Sequence, residues 1–127
     1  MTDLAHIHRI LVVEDDGLIA LDIETTLQDA GVGEVTSLAT VEDALRAVAE
    51  SSFEAAVVDL HLGRSGWTYD VAARLREKGV PFVLSSGTLE VAEGFRDVPL
   101  VMKPFSADQL VTALAKITSS PTKAAAE

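Results

Sequence analysis

The sequence predicts an α/β domain built on one five-stranded parallel sheet with helices on both faces, and three observations carry that expectation. Short apolar runs alternate with segments whose apolar residues recur at helical spacing, the order expected of strands joined by crossover helices. One run, Ala55, Ala56, Val57 and Val58, is apolar at every position, as suits a strand covered on both sides. Acidic, hydroxyl and basic residues stand just after the runs, where open α/β sheets gather their ligands.

The elements follow in order. Residues 10–13 are β-branched and aliphatic and end in Glu14, Asp15 and Asp16, a first strand leading into an acidic turn. A helix fits residues 18–30, with Leu18, Ile19, Ile23 and Leu27 as its inward stripe and Gly31 and Gly33 as its stop. Residues 35–38 make a second strand. Thr40, followed three residues on by Asp43, opens a helix that carries Val41, Ala44, Leu45 and Val48 inward. The third strand, 55–58, ends at Asp59. Residues 63–66 form a turn, and a third helix runs from Trp67 or Thr68 to Lys78, where Gly79 ends it. Residues 82–85 are the fourth strand, ending in Ser86 and Gly87. A short, poorly patterned helix is expected at 89–95, and residues 100–102 form the fifth strand, ending at Lys103 and Pro104. Ser106 and Gln109 make a capping box for a last helix reaching Ile117. Right-handed crossovers then give a three-layer sandwich with sheet order 2-1-3-4-5. The domain is expected at 9–117, after an N-terminal arm at 1–8 and before a flexible tail at 118–127.

Composition narrows the function. A chain of 127 residues fits one core. No apolar run is long enough to cross a bilayer, and the first nine residues lack the layout of a signal peptide, so a cytoplasmic address and no membrane partner are expected. The absence of cysteine removes disulfides, thiolate metal sites and cysteine nucleophiles. A net charge of -10 argues against direct nucleic-acid binding.

The chemistry gathers at one rim. Strands one, three, four and five end in Glu14-Asp15-Asp16, Asp59, Ser86 and Lys103 respectively. Glu14, Asp15 and Asp59 would be like charges a few ångströms apart, a costly cluster unless a hard cation joins it. Mg²⁺ takes oxygen ligands and fits such a set. Asp15 and Asp59 are the expected direct ligands, Glu14 acts through water, and the backbone carbonyl of His61 offers a further oxygen. Asp16 is accounted for as a helix cap. A carboxylate can attack phosphorus to form an acyl phosphate. Phosphoryl transfer needs positioning and charge neutralisation above all, which Mg²⁺, Lys103 and the Ser86 hydroxyl would supply to an acceptor at Asp59.

Four segments together resemble the receiver domain of two-component response regulators: ILVVEDD at 10–16, VVDLHL at 57–62, FVLSSG at 82–87 and MKPF at 102–105. The resemblance covers 9–117 and implies a flavodoxin-like fold. It implies a stand-alone regulator, phosphorylated on Asp59 by phosphotransfer from a sensor histidine kinase or phosphotransfer protein, with Glu14 and Asp15 as the acidic pocket. Ser86 would be the family's switch hydroxyl, Lys103 its lysine, and Lys103-Pro104 its cis peptide. Such a domain catalyses its own phosphorylation and dephosphorylation, signals by contact, and leaves homodimerisation open.

The sequence also departs from the family. Leu100 stands where an aromatic switch residue often lies three before the lysine. The usual Met-Pro after the acceptor strand is replaced by Gly63-Arg64-Ser65-Gly66, and Leu84-Ser85-Ser86-Gly87 partly echoes a Phe-Ala-Thr-Gly-x-Tyr motif of single-domain receivers. Two alternatives compete: a Mg²⁺-dependent hydrolase passing through an aspartyl phosphate, and a receiver-fold binding module that works without phosphate. His6 and His8 read as part of a solvated arm, and Arg74, Arg76 and Lys78 as a solvated helix face. Trp67, the sole tryptophan, is a fluorescence reporter near the pocket.

Overall fold

The computed structural model describes residues 3–118. They form β1 (Arg9–Val13), α1 (Gly17–Asp29), β2 (Glu34–Leu38), α2 (Val41–Glu50), β3 (Ala55–Asp59), a single 3₁₀ turn at Gly63–Ser65, α3 (Tyr69–Glu77), β4 (Phe82–Ser86), β5 (Leu100–Met102) and α4 (Ala107–Ile117). The sheet is parallel throughout, in the order β2-β1-β3-β4-β5. The expected α/β sandwich is therefore the observed one.

Alternation along the central strands builds two cores. Ile10, Val12, Val57 and Val83 face one side, where Ile23 and Leu27 of α1 and Leu110 and Leu114 of α4 cover them. Leu11, Val13, Ala56, Val58 and Leu84 face the other, beneath Ala44 and Val48 of α2 and Val71 and Leu75 of α3. A period of two along each strand sends neighbours to opposite faces. This is why β3 must be apolar at each of its first four positions.

Local chemistry sets the helix starts. The Asp16 carboxylate accepts from Leu18 N and Ile19 N, Thr40 Oγ1 accepts from Asp43 N, and Ser106 with Gln109 completes the capping box. Two expectations fail here. Leu18 does not face inward: it is 81% exposed, because the first turn of α1 is oriented by its Asp16 cap and the buried stripe runs through Ala20, Ile23 and Leu27. Residues 89–95 form no helix. Phe95 N donates to Ala92 O and Val98 N to Phe95 O, giving two successive turns. Gly94, at φ 99°, supplies the left-handed third position that ends any helical run there.

The segment before β1 is packed rather than solvated. Leu4 and Ile7 are buried in the first core, Leu4 N donates to Ala30 O, and Gly33 N to Ile7 O. His6 is half-buried, with Nε2 2.9 Å from Thr118 Oγ1, while His8 is exposed. The tail expected at 118–127 lies outside the described residues apart from Thr118. No helix among the described residues is long and apolar enough to cross a membrane.

Gly33 marks a close approach of two backbones. A Cβ there would sit 2.7 Å from the His8 carbonyl oxygen, which also accepts from Glu34 N. Gly33→Ala is expected to lower stability by about 1–3 kcal/mol, the usual range for forced overpacking. Urea unfolding followed by circular dichroism measures it, and an unchanged midpoint would refute the account.

Candidate functional site

The parallel sheet carries the carboxyl ends of β1, β3, β4 and β5 to one edge. There the chain assembles Glu14, Asp15, Asp16, Asp59, His61, Trp67, Ser86, Thr88 and Lys103 around an open pocket of about 410 Å³. One carboxylate oxygen each from Glu14, Asp15 and Asp59 lie within 4.8 Å of one another. Glu14 and Asp59 are buried, whereas Asp15 is exposed.

Lys103 ties the set together. Its Nζ donates to Glu14 Oε1 and to Asp59 Oδ2, both at 2.9 Å. The register of β5 against β4 aims it there, because Lys103 N donates to Ser86 O at 2.8 Å. The following Lys103-Pro104 bond is cis, as the resemblance implied. Burial lifts the Glu14 carboxyl above its ordinary range and the Asp59 carboxylate adds to this, while hydrogen bonds from Lys103 and from Asp16 N pull the other way. Burial alone would lower Lys103, but its hydrogen bonds to Glu14 and Asp59 outweigh that and leave its pKa raised. The signs matter for folding. A buried acid with a raised pKa holds its proton longer folded than unfolded, so Glu14 opposes folding increasingly as pH rises through the carboxylate range. Lys103 contributes its stabilisation below the ordinary lysine pKa and loses it only as pH climbs above that value.

Three carboxylates face one ammonium here, which leaves two negative charges in excess. Hard oxygen donors with that excess fit a divalent cation such as Mg²⁺. Gly63 keeps room for Asp15: it sits at φ 51°, and a Cβ on it would meet Asp15 Oδ2 at 2.9 Å. That close approach suits a glycine in place of the bulkier Met-Pro segment.

Ser86 is buried at the end of β4, its Oγ accepting from Thr88 N at 3.0 Å. His61 is exposed, with its amide 3.3 Å from Asp59 Oδ1. Asp16 faces α1 as its cap and also donates its amide to Glu14 Oε2 at 3.1 Å. Sequence reasoning missed Thr68, which is fully buried and donates its hydroxyl to the Asp59 carbonyl at 2.7 Å. Thr68 lies nine positions after Asp59, so no local pattern marks the pair; only the path of the loop does.

Beside Asp59, Ser85 of β4 is 1% exposed and its hydroxyl has no hydrogen-bond partner among the described residues. A buried hydroxyl without a partner is destabilising. Ser85→Ala is therefore expected to raise unfolding free energy by about 1 kcal/mol; a loss of stability on denaturant titration would show that the hydroxyl is satisfied in solution.

Comparison with known proteins bears directly on this site. The profile of the response regulator receiver domain family matches residues 10–115. The solution structure of SdrG from Sphingomonas melonis is similar, with 34% identity, a TM-score of 0.78, and coverage of 92% of this chain and 98% of that one. A response regulator receiver protein from Sinorhizobium medicae matches at 27% identity and TM-score 0.77, over 89% of this chain and 95% of that one. The receiver domain of the PhyR response regulator from Erythrobacter litoralis follows at 25% identity and TM-score 0.73, over 90% of this chain and 94% of that one. No curated protein matches. With the family profile spanning nearly all of the sheet and the acidic triad, Lys103 and Ser86 standing at adjacent strand ends, the chain belongs to the response regulator receiver domain family.

Proposed function

We propose that this chain, with residues 9–117 as its receiver unit, is a phosphoacceptor switch that takes a phosphoryl group on Asp59. The observation that carries this reading is the bridge of Lys103 Nζ to both Glu14 and Asp59 at 2.9 Å, inside a cluster two positive charges short of neutrality. An ammonium held against a carboxylate nucleophile stays in place to meet the oxygens of an arriving phosphoryl group.

A carboxylate oxygen of Asp59 attacks phosphorus and forms the acyl-phosphate bond as the bond from phosphorus to the donor breaks. With a phosphohistidine donor on a kinase or phosphotransfer protein, the departing imidazole takes up a proton. Membership of the family implies a kinase partner in general. Asp15 and Asp59 would hold Mg²⁺ directly, Glu14 through water, and the His61 carbonyl would complete the protein's share. Bound Mg²⁺ supplies charge neutralisation for the phosphoryl oxygens. The Ser86 hydroxyl then donates to one of those oxygens. Because the product adds roughly two charges at pH 7 and new acceptor oxygens, it shifts the conformational equilibrium of the surrounding loops, and the output is a change in protein contacts.

The test is incubation with acetyl phosphate and Mg²⁺, read by intact-protein mass spectrometry and peptide mapping. One phosphoryl group on the peptide holding Asp59 is expected, and chelation of Mg²⁺ should abolish its uptake. Turnover of added phosphomonoesters would favour the hydrolase alternative, and no uptake from acetyl phosphate or from kinase donors would overturn the reading.

A further inference from the structure

Leu100 leaves this receiver without an aromatic side chain on β5, yet an aromatic path leaves the pocket by another route. His61, two residues after Asp59, forms an antiparallel bridge with Trp67. Their rings meet edge to face at 4.8 Å. Trp67 stacks on Tyr69 at 5.9 Å, and Tyr69 packs on Phe95 at 5.5 Å. The Tyr69 hydroxyl accepts from Ala92 N at 2.9 Å.

The loop between Asp59 and Tyr69 is braced to move as a unit. Thr68 N donates to Leu60 O at 3.0 Å, Leu62 N to Gly66 O at 2.8 Å, and the Thr68 hydroxyl to Asp59 O at 2.7 Å. Residues 88–98, by contrast, hold no helix and rest on few anchors. Val91, Phe95 and Val98 are half-buried and the rest are exposed. Among the described residues, hydrogen bonds reach this segment from Ser86, Tyr69 and Arg76. Arg76 donates to Gly94 O at 2.6 Å and to Asp97 Oδ1 at 3.2 Å, with its guanidinium 4.7 Å from the centre of the Phe95 ring. Arg76, on the helix face expected to be solvated, thus holds this segment down.

We propose that Tyr69, at the start of α3, carries the state of Asp59 to residues 88–98, taking the part that an aromatic residue on β5 would otherwise play. This rests on Asp59 being the phosphoacceptor. Two changes converge on the same segment. A Ser86 hydroxyl that turns toward a phosphoryl oxygen gives up Thr88 N. A phosphoryl group on Asp59 also replaces the carboxylate faced by the His61 amide, and the His61–Trp67 pair passes the displacement to Tyr69 and so to the Ala92 amide. Weakly anchored segments are the ones such shifts mobilise. Contiguity only permits coupling, so coupling itself is what must be measured.

Beryllofluoride with Mg²⁺ serves as the acyl-phosphate mimic, with hydrogen exchange of residues 88–98 and Trp67 emission as readouts. In the native chain, exchange in 88–98 is expected to speed up about fivefold or more, with Trp67 emission changing in parallel and α4 unaffected. Tyr69→Phe keeps the ring and removes the acceptor of Ala92 N. It should raise basal exchange at Ala92 and cut the beryllofluoride response of the segment below about twofold, while phosphoryl uptake from acetyl phosphate persists. Tyr69→Leu removes the ring as well and should abolish the response around Ala92, leaving only what Ser86 supplies at Thr88; if it fails to fold, Tyr69→Phe alone decides. A full response in both variants, or a response confined to β5 and α4, overturns the proposal while leaving Asp59 as acceptor. Absence of phosphoryl uptake in the native chain takes down both.

Discussion

Asp59→Asn is expected to abolish phosphoryl uptake from acetyl phosphate, a loss of roughly a thousandfold or more when an enzyme's nucleophile is removed. The amide matches the carboxylate in shape but offers no anionic oxygen to attack phosphorus. The fold should be unmoved. Asp59 sits at the end of β3 with its backbone carbonyl held by Thr68, and neither feature depends on the side-chain charge. The substitution removes one hydrogen bond from Lys103 but also one of three crowded like charges. The net change in stability should stay within about 1 kcal/mol. Mg²⁺ affinity should fall as well, because one of the expected direct ligands becomes neutral. Intact-mass measurement of D59N beside the native chain, with thermal melts run without and with Mg²⁺, checks all three expectations. Labelling that survives in D59N places the acceptor elsewhere and sinks the proposed function.

Lys103→Met should be nearly as damaging by a different route. Methionine preserves much of the stem and deletes the ammonium that meets both Glu14 and Asp59. Losing one preorganised charge donor at a reacting centre typically costs about 10²–10³ in rate, and phosphorylation by acetyl phosphate should slow by that order. Stability should fall too. Glu14 is 3% and Asp59 6% exposed, and both would lose their counter-charge. Stranding a buried charge costs about 3–5 kcal/mol, but the Lys103 side chain is 23% exposed, so water screens part of this and about 1–3 kcal/mol is the expectation. The proportion of that loss recovered with Mg²⁺ separates charge from packing. A cation that binds only the folded state stabilises by mass action, and with Lys103 gone it should bind more tightly. The rise in Tm on adding Mg²⁺ should therefore be larger in K103M than in the native chain. An equal rise in both would show that Lys103 and the cation do not share the same charge deficit.

What could be read from the chain and what could not differ in kind. The apolar run of β3 announced a strand buried on both faces, because side chains that alternate between two cores must all be apolar. The helix caps at Asp16, Thr40 and Ser106 were legible because capping is settled within three residues. The position of Leu18 was not. It fits a helical stripe by spacing, yet the rotation of α1 on the sheet is set by Ala20, Ile23 and Leu27 packing against the core, and Leu18 turns outward. The weak pattern at 89–95 hid two turns in place of a helix, since the outcome depends on Gly94 and on anchors from α3.

The acidic triad shows the same division. Strand-end chemistry in a doubly wound sheet was enough to bring Glu14, Asp15, Asp59, Ser86 and Lys103 to one rim, because the order of the strands follows from their crossovers. By itself the sequence determined the fold class, the rim and the residues that crowd it. Only the tertiary structure decided that Lys103 bridges two of the acids, that Thr68 holds the backbone of Asp59, and that Tyr69 and Arg76 tie down the segment after β4. The reason is physical. Patterning and capping are written in neighbours a few residues apart, whereas these contacts join side chains from different elements, and their geometry exists only once the two cores have closed.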